Sequence, residues 1–163
     1  MNESEKNSRR APRSGLQDRG SRSRRAPSRG IRDRGLDELL AAARAARENA
    51  CAEFSHFAVG AALETESGAV VSGCNIENAT YGLTMCAERV ALFKALSEGH
   101  RSFRRLVVVA PPDAATPPCG ACRQLLWEFA GDVEVILANL HRETGRYRMR
   151  DLLPAPFDRR LLK

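Results

Sequence analysis

The segment Cys86-Ala87-Glu88, followed by Pro118-Cys119-Gly120-Ala121-Cys122, decides both the fold and the chemistry of this chain. Cys86 and Cys119 lie 33 residues apart, so the two segments supply three thiols and one carboxylate. Three protein ligands leave the fourth position of a tetrahedral zinc ion free for water, which is typical of a catalytic rather than a structural site. We therefore predict a catalytic zinc centre held by Cys86, Cys119 and Cys122.

Glu88 lies two residues after a predicted ligand and is the candidate proton shuttle. A Cys-ligated zinc, a glutamate that does not bind the metal and a Pro-Cys-x-x-Cys segment form the signature of zinc-dependent nucleobase deaminases. Here the usual His-x-Glu half appears as Cys-x-Glu. The alternative is a closed structural site with Cys74 as fourth ligand, which would leave Glu88 without a role beside the metal.

Composition and cysteine usage narrow the class of protein. The 163 residues are enough for one domain with a tail. No apolar run approaches the roughly 18 residues of a membrane span, and no basic stretch precedes the apolar segment of a secretory signal. Five cysteines, an odd number, favour reduced thiols on a metal over a disulfide framework. We expect a cytoplasmic protein without membrane segments.

Residues 1–35 form a separate tail rich in Arg, Ser, Gly and Pro, which we predict to be disordered because it can bury little apolar surface. The tail holds 11 of the 26 basic side chains but only four of the 20 acidic ones, so its own charge of +7 accounts for the net charge of +6, and the rest of the chain carries −1. Ser8-Arg9-Arg10-Ala11-Pro12 recurs 15 residues later, which suggests a tandem duplication. The tail is a non-functional extension, a segment that binds nucleic acid or another polyanion, or a transit peptide.

The remaining residues, 36–163, form the predicted zinc domain. Helices are expected at 36–50, 85–98 and 119–130, and strands at 57–64, 69–74, 106–110, 133–137 and 144–149. This alternation predicts an α/β fold, a three-layer α-β-α sandwich with a mixed central sheet. Both zinc motifs fall at helix starts, where the positive helix end stabilises a thiolate by ~0.3–1 kcal/mol.

Four motifs in this order resemble those of cytidine deaminases of the small, homotetrameric, three-cysteine type. They are Phe57-Ala58-Val59-Gly60-Ala61-Ala62-Leu63, Gly73-Cys74-Asn75-Ile76-Glu77-Asn78-Ala79, Cys86-Ala87-Glu88-Arg89 and Pro118-Cys119-Gly120-Ala121-Cys122-Arg123-Gln124. The resemblance implies one Zn²⁺ per subunit and hydrolytic deamination of cytidine and 2′-deoxycytidine to uridine and 2′-deoxyuridine, with release of ammonia, in pyrimidine salvage. It also implies a homotetramer with sites shared between subunits.

The resemblance assigns roles around the metal. Glu88 would take a proton from the zinc-bound water, protonate the pyrimidine N3 and pass a proton to the leaving ammonia. The backbone N–H of Ala87 would hold the base O2. Arg89 would hydrogen-bond the cysteine sulfurs and offset the net negative charge of three thiolates on Zn²⁺, and Gln124 would orient it.

The resemblance also assigns nucleoside contacts. Asn75 and Glu77 lie two residues apart, so on an extended segment their side chains point the same way. They would bind the ribose 3′-hydroxyl, which leaves the 2′ position unread, and Phe57 would stack against the base. Three residues would contact a nucleoside bound in a neighbouring subunit. Ala79 and Tyr81 would reach towards its 5′ end, and Phe157 would stack on its base.

The sequence departs from the family pattern at two places, and two other functions stay open. Before and within the first strand, and near the C-terminus, the departures are Cys51, Glu53, Phe54, Ala58 and Ala155-Pro156-Phe157. A nucleic-acid editing or RNA-binding protein would use the tail, but the rest of the chain, with 15 basic and 16 acidic groups, offers no basic groove for flanking nucleotides. A deaminase for an antibiotic such as blasticidin S would not need the ribose-binding pair.

Overall fold

The structure is a computed structural model that describes residues 33–162. The predicted tail therefore lies outside the described residues except for its last three positions. The described part contains four helices and five strands: α1 (Arg34–Arg47), β1 (Gly60–Thr65), β2 (Val70–Cys74), α2 (Ala87–Ser97), β3 (Phe103–Val109), α3 (Gly120–Ala130), β4 (Glu134–Ala138), β5 (Glu143–Arg148) and α4 (Met149–Leu152). Two short 3₁₀ turns cover Tyr81–Leu83 and Arg159–Leu162.

The strands form one mixed sheet in the order β2-β1-β3-β4-β5. β3 and β4 run parallel, whereas the other neighbouring pairs are antiparallel. Side chains alternate along β3, so Leu106 and Val108 pack in the cluster with α2 and α3, while Val107 and Val109 pack with Leu39 of α1. The sheet thus lies between a layer of α1 and a layer of α2 and α3, which confirms the predicted three-layer α-β-α sandwich.

Two glycines allow the helices to lie close to the sheet. A Cβ atom on Gly60 of β1 would lie 2.0 Å from the Ala43 carbonyl oxygen of α1. A Cβ atom on Gly73 of β2 would lie 2.6 Å from the Ala91 nitrogen of α2. Both helices therefore pack backbone against backbone on β1 and β2, and this contact fixes α2, whose first turn carries part of the site.

Helix α1 begins at Arg34 rather than at the predicted residue 36, because Asp33 caps it. Asp33 Oδ1 accepts a hydrogen bond from Leu36 N at 3.2 Å. The same carboxylate contacts the buried guanidinium of Arg105, which also forms an ion pair with Glu64. These contacts tie the start of α1 to β1 and β3. The boundary of the tail itself stays a prediction.

Strand β1 begins at Gly60, three residues later than expected. The Asn75 side chain takes the place of a strand partner here: its Oδ1 accepts from Val59 N at 2.8 Å, and its Nδ2 donates to the Phe57 carbonyl at 3.0 Å. Residues 57–59 therefore precede the strand, and the Val59 carbonyl accepts one backbone hydrogen bond, from Asn75 N at 3.1 Å. No helix of the described part is long and apolar enough to cross a membrane.

Candidate active site

Three cysteine sulfurs converge where α2 and α3 begin. Cys86 is the N-cap residue of α2 and Cys119 is the N-cap residue of α3, and Cys122 lies in the first turn of α3. The Cys86 and Cys119 sulfurs are 3.8 Å apart, and those of Cys119 and Cys122 are 3.5 Å apart. The fold thus brings the predicted ligands together at two helix N-termini, which favour thiolates.

The sulfur positions fit a zinc ion. Zn–S bonds of about 2.3 Å in a tetrahedral arrangement place two sulfurs roughly 3.8 Å apart, which matches the spacing of Cys86 and Cys119. All three sulfurs lie within 4.8 Å of one another. Cys74, the alternative fourth ligand, is no member of this cluster, and its sulfur contacts the Asn49 carbonyl oxygen at 3.3 Å instead. The donor set therefore fits a zinc ion with three thiolate ligands and an open fourth position.

Contacts among the thiols lower the pKa of Cys86 to about 5. The main cause is a hydrogen bond from Cys122, and further contributions come from the Arg89 guanidinium and from Cys119. The same contact and burial raise the pKa of Cys122. Cys86 is thus a thiolate at neutral pH, the protonation state that a metal ligand needs.

Glu88 lies in the first turn of α2, and its side chain is buried. Burial raises its pKa to about 7, and the negative charge of Cys86 acts in the same direction. A carboxyl group with a pKa near neutrality can both accept and donate a proton. Glu88 is therefore a buried carboxyl group beside the cysteine cluster that can gain or lose a proton near neutral pH.

A cavity of about 400 Å³ opens beside the cysteine cluster. Among the predicted site residues, its wall contains Phe57, Asn75, Glu77, Cys86, Ala87, Glu88 and Cys119. Seven further residues line it that the sequence did not single out: Ser55, Val59, Thr84, Met85, Val108, Thr116 and Pro117. Six of them lie in the loops before β1, α2 and α3, and Val108 lies in β3. Apart from the motif that contains Val59 and the prolines at 111–118, no sequence signal marks them.

The residues expected to reach another subunit do not line this cavity. Tyr81 lines an adjoining cavity of about 320 Å³, where it packs edge-on against Phe54. Ala79 and Phe157 line neither of the two. Phe157 and Tyr81 are 56% and 75% exposed, so both aromatic rings present their surface to solvent in this chain. A larger hollow of about 660 Å³ lies beside Trp127 and contains no predicted site residue.

Glu77 holds the loop before Phe57. Its carboxylate Oε2 accepts hydrogen bonds from Phe54 N at 2.8 Å and from Ser55 N at 3.1 Å, and its Oε1 accepts from the Ser55 hydroxyl. These bonds lower the pKa of Glu77, with the Ser55 hydroxyl as the main cause. Glu77 is therefore a carboxylate whose position depends on the loop.

Arg89 lies beside the cysteine cluster. Its Nη2 donates to the Thr84 carbonyl at 2.8 Å and contacts the Cys86 sulfur at 3.7 Å. Gln124, which the resemblance makes the orienting partner of Arg89, donates to the Phe157 carbonyl at 2.6 Å. The roles of Arg89 and Gln124 at the metal stay predictions.

Arg123 is a supporting residue that sequence reasoning missed. Its Nε donates to the Pro118 carbonyl at 2.7 Å, and its Nη1 donates to the Leu152 carbonyl at 2.8 Å. Arg123 thereby ties the loop before Cys119 to α4. An arginine next to a cysteine pair gives no sequence signal for these backbone contacts.

Comparison with known proteins agrees with this geometry. The family model for the "Cytidine and deoxycytidylate deaminase zinc-binding region" matches residues 34–139. A cytidine deaminase of Halalkalibacterium halodurans is 50% identical over 111 residues, which cover 68% of this chain and 84% of that protein. The crystal structure of cytidine deaminase from Burkholderia pseudomallei has a TM-score of 0.71 and 48% identity, and the match covers 74% of this chain and 98% of that one. A blasticidin-S deaminase of Bacillus cereus is 30% identical over 109 residues, 62% of this chain and 77% of that protein.

Fold, donor set and buried glutamate together define a zinc-dependent hydrolytic deaminase. The family match extends from the start of α1 past the end of β4, a range that includes all three cysteines of the cluster. This chain belongs to the cytidine and deoxycytidylate deaminase family.

Proposed function

We propose that this protein deaminates cytidine and 2′-deoxycytidine hydrolytically to uridine and 2′-deoxyuridine, with release of ammonia, in pyrimidine salvage in the cytoplasm. The observation that carries the proposal is the cluster of Cys86, Cys119 and Cys122, with Glu88 beside it on the wall of a cavity of about 400 Å³. A zinc ion bound by three thiolates would lower the pKa of a water molecule, so that a nucleophile is available near neutral pH.

Glu88 would move the protons of the reaction. Its carboxylate lies on the cavity wall, where it can accept a proton from the attacking water and donate it to the pyrimidine N3. It would then take the remaining proton from the new hydroxyl on C4 and deliver it to the amine, which leaves as ammonia while the C4 carbonyl of uridine forms. Burial keeps the two protonation states of Glu88 close in free energy at neutral pH, which suits a group that must gain and lose a proton in each turnover.

The start of α2 would bind the base. Ala87 is the first residue of the helix, where backbone N–H groups have no partner within the helix. Its N–H is therefore a donor for the pyrimidine O2 at the cavity wall. Phe57, which is half-buried and lines the same cavity, would pack against the face of the base.

Asn75 and Glu77 would bind the ribose 3′-hydroxyl. The Asn75 amide uses Oδ1 for Val59 N and one Nδ2 hydrogen for the Phe57 carbonyl, and its second Nδ2 hydrogen has no partner within residues 33–162. The Glu77 carboxylate, with about four acceptor positions, receives three donors from the loop. The pair can thus donate to and accept from one hydroxyl. Because neither residue would read the 2′ position, both ribose and deoxyribose would be accepted.

The exposed aromatic residues support a homotetramer with shared sites. In the tetramer, Ala79 and Tyr81 would reach the 5′ end of a nucleoside bound in a neighbouring subunit, and Phe157 would stack on its base. Aromatic rings as exposed as Tyr81 and Phe157 are typical of subunit interfaces. Arg89 would offset the negative charge of the thiolates. The Gln124 side-chain amide, which donates to the backbone carbonyl of Phe157, would support the position of Phe157.

Steady-state assays with zinc-loaded protein test the proposal. We expect deamination of cytidine and 2′-deoxycytidine with kcat/KM values within roughly tenfold of each other, and much slower turnover of blasticidin S, which lacks the ribose that Asn75 and Glu77 would bind. Removal of residues 1–32, which keeps Asp33 as the cap of α1, should leave nucleoside turnover unchanged if the tail is a separate, non-catalytic segment. Faster turnover of the antibiotic, or of cytosine in single-stranded nucleic acid, would contradict the proposal.

A further inference from the structure

Ser55 links the proposed ribose ligand to the proposed base-stacking residue. Its hydroxyl donates to Glu77 Oε1 and accepts from Phe57 N at 3.0 Å. Its backbone N–H donates to the other oxygen of the same carboxylate at 3.1 Å. A single serine therefore contacts both oxygens of Glu77 and the backbone of Phe57.

Ser55 lies in a loop whose conformation is defined at both ends. His56 has a positive φ of 54°, an unusual value for a residue with a side chain, and its N–H donates to the Ala52 carbonyl at 2.9 Å. Downstream, the Asn75 side chain holds the carbonyl of Phe57 and the N–H of Val59. Two backbone N–H groups of the loop hold Oε2 of Glu77, whereas the Ser55 hydroxyl is the loop's contact to Oε1. Ser55 also lies on the cavity wall.

We propose that Ser55 is a positioning residue that directs the free acceptor position of the Glu77 carboxylate at the ribose 3′-hydroxyl. This inference rests on the proposed function, since it concerns the same nucleoside. Without the Ser55 hydroxyl, Oε1 of Glu77 would lose its protein donor and could rotate away from the Asn75 amide. Binding of the 3′-hydroxyl would then weaken, whereas the zinc ligands and Glu88 would keep their positions because they lie on α2 and α3.

Kinetics on cytidine and 3′-deoxycytidine distinguish this role from a general effect on the fold. In Ser55→Ala we expect the KM for cytidine to rise about tenfold, as for loss of a hydrogen bond to a charged group, with kcat changed less than twofold. The KM for 3′-deoxycytidine should change little, so the preference for the 3′-hydroxyl should fall. Ser97→Ala, an exposed serine at the far end of α2, is the matched control and should keep the preference of the wild type.

A second pair of variants separates the loss of the hydroxyl from an effect on folding. Ser55→Thr and Ser55→Val have the same shape and differ only in the hydroxyl, so the threonine variant should keep the preference and the valine variant should lose it. Zinc content and melting temperature are measured for each variant. An unchanged preference in Ser55→Ala and in Ser55→Val, in a protein that deaminates cytidine, would overturn the role of Ser55. A wild type that is zinc-loaded and does not deaminate cytidine would overturn the proposed function itself.

Discussion

The Cys86 sulfur lies 3.8 Å from the Cys119 sulfur, although the two cysteines begin different helices. One helix precedes β3 and the other follows it, and both lie on the same face of the sheet. A metal ion at this point therefore connects two helices that otherwise share only side-chain packing. The zinc centre should contribute to the stability of the fold as well as to its chemistry.

Removal of zinc should lower the melting temperature and abolish turnover. A ligand present at 100 times its Kd stabilises a protein by about 2.7 kcal/mol, which corresponds to a shift of roughly 10 °C for a domain of this size. The measurement is thermal unfolding with a chelator, with the chelator saturated with zinc as control. Re-addition of zinc should restore both properties. A zinc-free protein with an unchanged melting temperature would contradict the connecting role of the metal.

Arg89→Ala should reduce turnover by roughly 10–100-fold, the usual cost of losing a residue that supports a metal ligand. Its guanidinium contacts the Cys86 sulfur, and its loss removes a positive charge that would offset the net negative charge of three thiolates on Zn²⁺. The measurement is kcat together with zinc content. Arg150→Ala, at an exposed arginine of α4, is the matched control. Equal activity and zinc content in the two variants would show that Arg89 does not support the metal site.

Gly60→Ala should destabilise the fold by about 1–3 kcal/mol or more, as overpacking does. The added Cβ would lie 2.0 Å from the Ala43 carbonyl, so α1 would have to move away from β1. Gly82→Ala is the matched control, because its Cβ meets no atom within 4 Å. Urea unfolding of both variants measures the difference. Equal midpoints would mean that α1 does not pack as closely on β1 as described.

The stabilising effect of Asp33 should depend on pH in a defined direction. The Arg105 guanidinium lowers the pKa of Asp33 to about 2, below the value of about 3.9 in unfolded chains. A carboxylate with a lowered pKa stabilises the fold above the unfolded pKa and loses this effect as the pH falls through the folded pKa. The difference in unfolding midpoint between wild type and Asp33→Asn should therefore be constant from pH 7 to about 5. It should shrink between about pH 4 and 2, and a difference that grows on acidification would contradict the ion pair.

The sequence was sufficient for features that depend on spacing and periodicity. Cys86, Cys119 and Cys122 were predicted as a cluster because two motifs at helix starts specify it, and the apolar run 106–110 predicted a short buried strand, which overlaps β3. Contacts between one side chain and a backbone group distant in sequence could not be predicted. The Gln124 contact to Phe157 and the late start of β1, where Asn75 replaces a strand partner, are of this kind. Such contacts depend on rotamers and loop positions, which periodicity does not encode.

The most direct test of the account compares wild type with Glu88→Gln, an isosteric change that removes the titratable group and no metal ligand. Zinc content and cytidine deamination, followed by ultraviolet absorbance, are measured on both purified proteins. We expect equal zinc content and a loss of turnover of at least about 100-fold, the contribution of a general acid–base. Zinc-loaded Glu88→Gln that deaminates cytidine at the wild-type rate would contradict the central claim that Glu88 carries the protons of the reaction.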